Sequence, residues 1–472
     1  MKNINLPKII QGGMGIAVSD WKLAQSVAQA GQLGVVSGTA IENVMIRRLQ
    51  DGHTETVKAL EAFPIETLSQ KIIAKYYIAE GKAADKPYRL APLTSIPLKP
   101  ELTELLIVAN FCEIYMAKQS GGQVGINYLE KITMPLLPSL YGAMLAGVDA
   151  VLMGAGIPIA IPGILDQLSK GEACRLSVPV TGKSNDQDFS LDFDPKQYSY
   201  KIGLARPAFL GIISSEIVAK TMIKRATGSI EGFIIESHFA GGHNAPPRKV
   251  KGQSHDAFSD KDSVDLERFK KLDYPFWLAG NFGKHNALQQ AQELGAYGIQ
   301  VGSAFAYCDE SGIKPEIKEQ VIKENAAKGL NIYTDFKASP TGYPFKIIKQ
   351  TWKKAEHAPE RRRVCDLGYL REATVDDKGK LEYRCPAEST KNYLAKGGTL
   401  EETEGRQCLC NSLFATVGLG QVRKDFIEPP LLTGGEDFSF LNELTNATKL
   451  SYSAKEIIEL LSSENEPLSS NQ

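Results

Sequence analysis

No charge of one sign dominates this sequence, and that balance limits the partners it can have. Its 472 residues include 54 Lys plus Arg and 55 Asp plus Glu, so the formal charge is −1. A protein that binds nucleic acid or an anionic membrane surface through charge needs an excess of cations. We therefore expect neither among its partners. The 43% of hydrophobic and 23% of charged residues also exclude a wholly disordered or fibrous chain.

Cysteine is scarce and odd in number, and a long uninterrupted apolar run is missing. Seven cysteines in a chain of this size argue against a disulfide scaffold and favour a reducing compartment. The N-terminal residues show no apolar segment typical of a secretory signal. Residues 140–165, the longest apolar stretch, contain Asp149, Pro158, Pro162 and five glycines, which predicts helix, strand, turn and helix and not a membrane span. The sequence thus predicts a cytoplasmic protein.

Short apolar runs recur along the first two thirds of the chain, most of them followed by a turn rich in glycine. They do not alternate between polar and apolar residues, as expected for strands buried on both faces. The predicted strands are residues 8–12, 33–37, 123–127, 148–153, 209–213, 232–236, 275–279 and 298–302. Helical patterns between them cover residues 20–30, 101–117, 138–146, 215–227 and 284–294. Eight such units predict a (β/α)8 barrel in residues 1–315, and a doubly wound sheet is the alternative.

Several segments exceed a minimal barrel. Residues 53–100 form a predicted helical insertion, with the best helical pattern at 66–80. Residues 174–207 contain alternating pieces that predict a hairpin flap. Residues 316–455 form a predicted C-terminal extension that is mostly helical and contains cysteines, and residues 456–472 are expected to be a flexible tail.

Glycine-rich turns follow the first, seventh and eighth predicted strands. The first reads Gln11-Gly12-Gly13-Met14-Gly15, where the missing Cβ atoms would let a flat ligand approach the backbone. The others are Gly280-Asn281-Phe282-Gly283 and Gly302-Ser303. In a barrel, the last two loops form the usual phosphate site. Each turn alone is equally compatible with a simple link from strand to helix.

The loop after the sixth strand concentrates the groups that could move a proton. It runs from Glu236 through His238 to Gly241-Gly242-His243. An imidazole titrates near neutral pH, so His243 is the candidate acid or base. His238 lacks the glycine context and is more often structural, although it stays a candidate substrate contact. Asn127, at the end of the third strand, has an amide that suits the edge of a heterocycle, and a turn asparagine is the alternative.

Two further sets of residues leave alternatives open. Arg248 follows Pro246-Pro247 and could meet an anionic substrate, or it could be a solvated loop charge. Cys365, Cys385, Cys408 and Cys410 lie close together in sequence. Four thiolates can hold zinc or an iron–sulfur cluster, but the spacings lack a Cys-x-x-Cys pair. Ordinary buried thiols are therefore the preferred interpretation, with no metal bound.

Taken together, these motifs resemble the nitronate monooxygenase (2-nitropropane dioxygenase) family of FMN-dependent barrels. The resemblance covers about residues 7–311 and rests on the turn at 11–15, on Gly125-Ile126-Asn127, on Ala240-Gly241-Gly242-His243 and on residues 298–303. Related barrels include the FabK-type enoyl reductases and the enoyl reductases that act in trans on polyketide or fatty acid synthases. The motif set is thus more specific for the flavin barrel than for the substrate.

The resemblance implies non-covalent FMN over the barrel mouth, with His243 as acid or base. It implies oxidation of an alkyl nitronate to a carbonyl compound and nitrite, with O2 reoxidising the flavin. The implied phosphate site lies near Gly280, Gly283, Gly302 and Ser303, and the implied ring site near Gly13, Met14 and Asn127. The residues expected to bind the cofactor are Gly13, Met14, Gly15, Asn127, Glu236, Gly241, Gly242, Gly280, Asn281, Gly283, Gly302 and Ser303.

Two departures from the family keep other functions open. The family often has a Gly-Gly pair after the seventh strand, where this chain has Gly280-Asn281. The flap and the extension also suggest a different or bulkier substrate. One alternative is an NAD(P)H-dependent reductase of an enoyl thioester or a quinone, and another is a non-catalytic flavin- or metal-binding partner of a larger complex. Barrel enzymes often pair, so a homodimer is also an open expectation.

Overall fold

Eight parallel strands close into a barrel in this computed structural model, which describes residues 5–198, 203–248, 258–350, 362–376, 378–424 and 426–463. The barrel strands are β1 (Ile9–Gln11), β2 (Leu33–Ser37), β3 (Val124–Leu129), β4 (Ala150–Gly154), β8 (Ala208–Ile213), β9 (Gly232–Glu236), β10 (Phe276–Ala279) and β11 (Gly298–Val301). The order around the barrel is β1-β11-β10-β9-β8-β4-β3-β2, and β1 pairs with both β2 and β11. All eight predicted strands are present, so the (β/α)8 barrel is confirmed.

Helices alternate with the barrel strands and pack on their outer faces. Asp20 begins the first of them, because its carboxylate accepts hydrogen bonds from the backbone N–H groups of Lys22 and Leu23. The helices up to β11 that belong to the barrel wall are α1 (Trp21–Gln29), α2 (Ile41–Gln50), α5 (Pro100–Ala117), α6 (Leu136–Leu145), α7 (Ile161–Ser169), α8 (Glu216–Arg225), α9 (Leu266–Lys270) and α10 (Ala287–Glu293).

Two hydrophobic cores explain why the strand sequences do not alternate between polar and apolar residues. Side chains that point into the barrel surround Trp277, which is fully buried, and include Ile10, Val35, Leu152 and Ile234. The side chains on the opposite strand faces pack beneath the helices in a second, larger core. Because both faces of each strand are buried, both must be apolar.

The apolar stretch at residues 140–165 forms part of α6, all of β4 and part of α7, as predicted. Among the described residues, no helix is both long and apolar enough to cross a membrane. The insertion at 53–100 contains α3 (Thr54–Glu61) and α4 (Glu66–Tyr76). The flap at 174–207 contains β5 (Cys174–Ser177), β6 (Val180–Thr181) and β7 (Ser190–Phe193), and β5 pairs with β7 antiparallel.

The extension combines helices with short strands and lies over the barrel mouth. Its strand β14 pairs with β15 antiparallel and with β6 of the flap in parallel, so flap and extension share one sheet. Its helices are α12 (Pro315–Lys328), α13 (Thr390–Ala395), α14 (Leu400–Thr403), α15 (Leu409–Thr416), α16 (Phe440–Leu444) and α17 (Ala454–Ser462), after the short α11 (Ser303–Ala306). Its strands are β12 (Ile332–Asp335), β13 (Phe345–Ile348), β14 (Glu372–Val375), β15 (Leu381–Arg384), β16 (Val422–Arg423) and β17 (Phe426–Ile427), none of which the sequence analysis predicted.

The flexible tail expected from residue 456 is wrong for residues 456–463. Ser453 and Glu456 form a capping box that begins α17. The helix buries Ile457 and Leu461, and it packs near α1 and α10. The polar composition of this segment predicted disorder, but one face of the helix is apolar. Burial of that face stabilises the helix. Residues 464–472 lie outside the described residues.

A buried ionic group joins three helices of the barrel wall. The Arg48 guanidinium on α2 lies 3.0 Å from the Asp20 carboxylate at the start of α1 and 2.8 Å from the Glu113 carboxylate on α5. Their side chains are 11%, 8% and 5% exposed. Removing one member of such a group leaves the others charged and buried, which typically costs about 3–5 kcal/mol.

We expect Arg48→Met to lower the free energy of unfolding by about 3–5 kcal/mol, measured by urea titration. The matched control is Arg175→Met, whose guanidinium pairs with Asp192 on the flap with both side chains about two thirds exposed. Exposed pairs contribute less than about 1 kcal/mol, so the control should change little. Equal losses in the two variants would contradict a structural role for the buried group.

Candidate functional site

A cavity of about 420 Å³ lies at the carboxyl ends of the barrel strands, beneath the extension. This volume is within the range of small-molecule sites, and this end of a (β/α)8 barrel is where such sites occur. The structure brings His243 and every predicted cofactor residue to its wall. They are Gly13, Met14, Gly15, Asn127, Glu236, Gly241, Gly242, His243, Gly280, Asn281, Gly283, Gly302 and Ser303.

The turns after β10 and β11 form the end of the cavity where the sequence predicts a phosphate. Gly280 and Asn281 both have positive φ, +87° and +67°. Asparagine tolerates this left-handed backbone better than other residues with a Cβ. Asn281 can therefore adopt the turn conformation that a second glycine would adopt at this position. Within the described part of the chain, no hydrogen bond uses the backbone N–H of Asn281, Gly283 or Ser303. These three donors remain for an anion.

The turn after β1 is held in place by a small polar network. Gln11 donates from Nε2 to the Ser19 hydroxyl over 2.9 Å, and that hydroxyl accepts from the Met14 backbone N–H over 3.0 Å. Gly13 lies so close to β3 that a Cβ on it would be 2.5 Å from the Asn127 Cβ. Asn127 itself donates from Nδ2 to the Leu152 carbonyl over 3.2 Å. The turn and Asn127 therefore form one preformed wall of the cavity.

His243 is held by the extension as well as by the barrel. Its backbone bridges Phe345 of β13, and its ring meets the Phe345 ring edge-on at 4.8 Å between centroids. Its Nε2 lies 2.7 Å from the Ser339 hydroxyl, which in turn lies 2.8 Å from the Thr341 hydroxyl. Burial, aided by the positive charge of Lys131, lowers the pKa of His243 to about 4. The imidazole is thus neutral at pH 7 and able to accept a proton.

The loop around His243 is fixed by bonds to the extension. The Gly242 backbone N–H donates to the Thr433 hydroxyl over 2.8 Å, and the Lys346 N–H donates to the Gly242 carbonyl over 2.9 Å. Asn244 is 1% exposed and donates from Nδ2 to the Ala240 carbonyl over 3.1 Å. The position of the imidazole therefore depends on residues far downstream in the sequence.

Glu236 ends β9 with its carboxyl group at the cavity wall. Burial alone raises the pKa of this carboxyl to about 7. A carboxyl group near its pKa at neutral pH can donate or accept a hydrogen bond. His243 lines the same cavity, but its lowered pKa keeps it in one form, the neutral imidazole, at this pH.

Sequence reasoning missed several residues of this site. The Gln300 Oε1 and the Asn244 Oδ1 are buried at the cavity wall and accept no hydrogen bond from the described residues, so both remain for a ligand. Gly435, whose N–H donates to the Ser303 hydroxyl over 2.7 Å, sits in a Thr-Gly-Gly run that resembles the recognised turns. That run was a usable signal, whereas nothing in the sequence marks Ser339.

One wall of the cavity is apolar and comes largely from the extension. The loops after β1 and β3 also contribute to it. Its residues are Ile16, Leu129, Ile132, Tyr343, Phe345, Tyr369, Leu370, Leu409, Leu413 and Leu431. The cavity therefore has a polar glycine-lined part and an apolar part. A ligand that combines an anion, a heteroaromatic ring and an adjoining small organic molecule fits this division.

Arg248 and His238 do not line the cavity. Arg248 is exposed, and its backbone N–H donates to the Asp262 carboxylate over 2.6 Å. The His238 ring stacks against Phe258 with 4.8 Å between centroids and also contacts Phe239. The Arg248 guanidinium lies 3.5 Å from the Ser214 carbonyl. Neither residue is therefore among those that line the cavity.

Of the four cysteines of the extension, Cys410 lines the cavity, whereas Cys365, Cys385 and Cys408 do not. Among the described residues, no group of three or more His, Cys, Asp or Glu side chains is arranged to hold a metal ion.

We expect Glu236→Gln to change how stability depends on pH. The folded-state pKa of about 7 exceeds the ordinary 4.5, so the wild-type chain loses stability as the pH rises from 4.5 through 7, while the amide does not titrate. Between pH 4.5 and pH 8, the free energy of unfolding of the variant should therefore rise by about 3 kcal/mol relative to that of the wild type. Urea titration of ligand-free protein measures this difference. The exposed Glu293→Gln should show no such gain, and parallel curves for wild type and Glu236→Gln would refute the buried acid.

Comparison with known proteins gives one curated relative and several solved structures. No family model matches the chain. A protein of Bacillus subtilis (strain 168) described as a probable nitronate monooxygenase is 27% identical over 139 residues, which are 29% of this chain and 38% of the relative. The chain thus matches well under two thirds of that relative's length. The similarity confirms the resemblance seen in the motifs.

Among solved structures, nitroalkane oxidase from Streptomyces ansochromogenes has a TM-score of 0.46 at 13% identity, covering 97% of this chain and 94% of that one. FabK from Thermotoga maritima has a TM-score of 0.40 at 16% identity, covering 73% and 72%. The enoyl reductase domain of MlnA from Bacillus amyloliquefaciens has a TM-score of 0.38 at 12% identity, covering 73% and 63%. At these scores and identities, the likenesses support no statement about chemistry. The chain is similar to these proteins, and its (β/α)8 fold rests on its own strand pairing.

Proposed function

We propose that this protein is an FMN-dependent oxidoreductase of the nitronate monooxygenase type. The observation that carries the proposal is the meeting of a neutral His243 with the glycine turns of β1, β10 and β11 at one cavity. The similarity to the Bacillus subtilis relative supports the same conclusion. The seven free thiols support a reducing, cytoplasmic location.

The residues present fit FMN. The unused N–H donors of Asn281, Gly283 and Ser303 suit the phosphate. Gly13, Met14 and Asn127 would hold the ring, and the buried Gln300 Oε1 could accept a hydrogen bond from a ring N–H group. When bound, FMN supplies a two-electron acceptor that O2 can regenerate.

His243 would act as the base that removes the α-proton of a neutral nitroalkane, which forms the nitronate within the cavity. Its lowered pKa keeps the imidazole unprotonated, and the Ser339 hydroxyl at its Nε2 orients the ring. The imidazolium that this transfer forms would be destabilised by burial and by the charge of Lys131. It should therefore pass the proton on readily. Phe345 against the ring helps to exclude water.

The proposed substrate is an alkyl nitronate, converted to a carbonyl compound and nitrite. The apolar wall around Leu409, Leu413 and Leu431 suits the alkyl part. A second candidate is an NAD(P)H-dependent enoyl-thioester or quinone reductase on the same barrel. The size of this wall favours it, because a small nitronate would leave much of the apolar surface uncovered.

We expect His243→Gln to retain FMN and to lose about 10²- to 10⁴-fold in kcat with a neutral nitroalkane, the usual contribution of a general base. A preformed nitronate has already lost that proton, so the variant should still oxidise it. Nitrite release measures turnover, and the absorbance of the heat-released flavin measures FMN content. The matched control is His285→Gln, since His285 is exposed and bonded to the Ser463 hydroxyl. Full turnover of the neutral nitroalkane by the His243 variant would overturn the assigned role.

The two candidate reactions are separated by anaerobic absorbance measurements on the purified holoprotein. A nitronate enzyme should lose its flavin absorbance on addition of an alkyl nitronate and keep it with NADH or NADPH. The reverse pattern would replace the nitronate proposal with the reductase. A chain that takes up no FMN would remove both.

A further inference from the structure

A chain of two hydroxyl groups leads from His243 away from the cavity. The imidazole Nε2 lies 2.7 Å from the Ser339 hydroxyl, which lies 2.8 Å from the Thr341 hydroxyl. Both distances are those of direct hydrogen bonds, so the three groups connect without an intervening water molecule. Ser339 and Thr341 belong to the segment between β12 and β13, and neither lines the cavity.

Burial decreases along this chain. Ser339 is 0% exposed, whereas Thr341 is partly exposed and the adjoining Gly342 is exposed. Because Thr341 does not line the cavity, its exposed surface faces solvent outside the site. A single fully buried hydroxyl therefore connects the imidazole with a side chain that water can reach.

Backbone donors position both hydroxyl oxygens and leave their hydrogen atoms available. The Ser339 Oγ accepts from the Thr341 N–H over 3.3 Å, and the Thr341 Oγ1 accepts from the Tyr343 N–H over 3.4 Å. The Ser339 hydrogen can turn to the His243 Nε2 or to the Thr341 oxygen, since both are within hydrogen-bond distance. A hydroxyl that can donate in either direction is what stepwise proton transfer requires.

The segment that carries the hydroxyls is anchored to the residues before α15. Arg406 donates from Nη1 to the Ser339 carbonyl over 2.5 Å and to the Lys337 carbonyl over 2.8 Å. The Gln407 N–H donates to the Ala338 carbonyl over 2.9 Å. These bonds fix the backbone of Ser339 and thereby hold its hydroxyl against the imidazole.

The two ring nitrogens of His243 have different surroundings. Within the part of the chain that the structure describes, Nδ1 has no hydrogen-bond partner, whereas Nε2 is engaged by Ser339. His243 lines the cavity, so Nδ1 is the nitrogen left for a ligand. A ring nitrogen that carries hydrogen cannot accept a proton, and the neutral imidazole must therefore carry its hydrogen on Nε2 when Nδ1 acts as the base.

We propose that Ser339 and Thr341 form a proton relay that carries the α-proton of the substrate from His243 to solvent. The inference rests on the proposed role of His243 as a base. Nδ1 takes the proton from the α-carbon, whose electron pair stays on the nitronate, and Nε2 gives its own proton to the Ser339 oxygen. The Ser339 hydroxyl passes its hydrogen to the Thr341 oxygen, and the Thr341 hydroxyl passes its hydrogen to surface water. One proton leaves the substrate and one reaches the solvent.

The relay removes the positive charge from the imidazole while the ligand fills the cavity. The Lys131 ammonium lies 3.4 Å from the Thr341 carbonyl and 4.0 Å from the centroid of the Tyr343 ring. This charge, together with burial, disfavours an imidazolium at His243. Without an exit, the proton would return to the nitronate carbon. After the products leave, Nδ1 exchanges its hydrogen with water in the open cavity, and the hydroxyls turn back.

Thr341→Val tests the relay without removing the residue that contacts the imidazole. Valine has the shape of threonine but no hydroxyl, so Ser339 can still orient the ring. We expect kcat with a neutral nitroalkane to fall about 10- to 100-fold at unchanged KM, less than for His243→Gln because the base is still present. Turnover of a preformed nitronate should be unchanged, since it has already lost the proton. Nitrite release measures both reactions.

Two further variants serve as controls. Thr341→Ser keeps the hydroxyl and should restore most of the wild-type kcat. Thr221→Val removes another partly exposed hydroxyl, which donates to the Ile217 carbonyl within α8 over 2.8 Å and does not line the cavity. This variant should leave both reactions unchanged, and thermal unfolding midpoints verify that each variant is folded.

A second measurement needs neither turnover nor flavin. The ¹⁵N chemical shifts of labelled histidine in ligand-free protein report which ring nitrogen carries hydrogen, and His243→Gln identifies the relevant signals. We expect hydrogen on Nε2 in the wild type. In Thr341→Val, the Ser339 hydrogen has no acceptor among the described residues except Nε2, so the ring hydrogen should move to Nδ1.

Three results would overturn the relay. They are full turnover of the neutral nitroalkane by Thr341→Val, an equal loss with the preformed nitronate, and the same ring nitrogen protonated in both proteins. Ser339 would then only orient the imidazole. A wild-type holoprotein that turns over neither substrate would refute the proposed function instead, and the ¹⁵N comparison alone would then decide whether the hydroxyls determine the protonated nitrogen of His243.

Discussion

Closure of the barrel by the parallel pairing of β1 with β11 is the constraint on which the rest of the structure depends. Because every neighbouring pair in the barrel is parallel, all eight carboxyl ends meet at one rim. Turns that are far apart in sequence, such as Gly13 and Gly302, are thereby brought to one cavity. Side chains at that rim then obtain their properties from burial, which lowers the pKa of His243 and raises that of Glu236.

The barrel and its rim were predictable from the sequence because both depend on local patterns. Strands buried on both faces read as unbroken apolar runs, and the turns that follow them are marked by glycine. Every cofactor residue inferred in this way lines the cavity, although binding itself stays a prediction. Arg248 and His238 were named for their chemistry alone. The Arg248 guanidinium lies 3.5 Å from the Ser214 carbonyl, and the His238 ring stacks on Phe258.

The extension was less predictable because its short strands, and its position over the barrel mouth, depend on long-range contacts. Ser339 beside His243 belongs to no recognisable motif. Thr433 precedes a glycine pair, but nothing in the sequence indicates its bond to Gly242. The two-residue strand β6 gains its partner from β14, too short a pairing for any periodicity to reveal. The prediction of a flexible tail was wrong for residues 456–463 for a similar reason, since α17 is stabilised by burial against α1 and α10 and not by composition.

The strand pairing between flap and extension has a consequence for biosynthesis. Thr374 bonds to the Thr181 carbonyl across 193 positions of the chain. As the chain leaves the ribosome, the barrel strands are complete long before β14 emerges, so the flap must wait without its partner strand. The His243 imidazole likewise lacks Phe345 of β13 until later synthesis supplies it. The nascent chain therefore passes through an interval in which the residues that cover the barrel mouth have not yet been made.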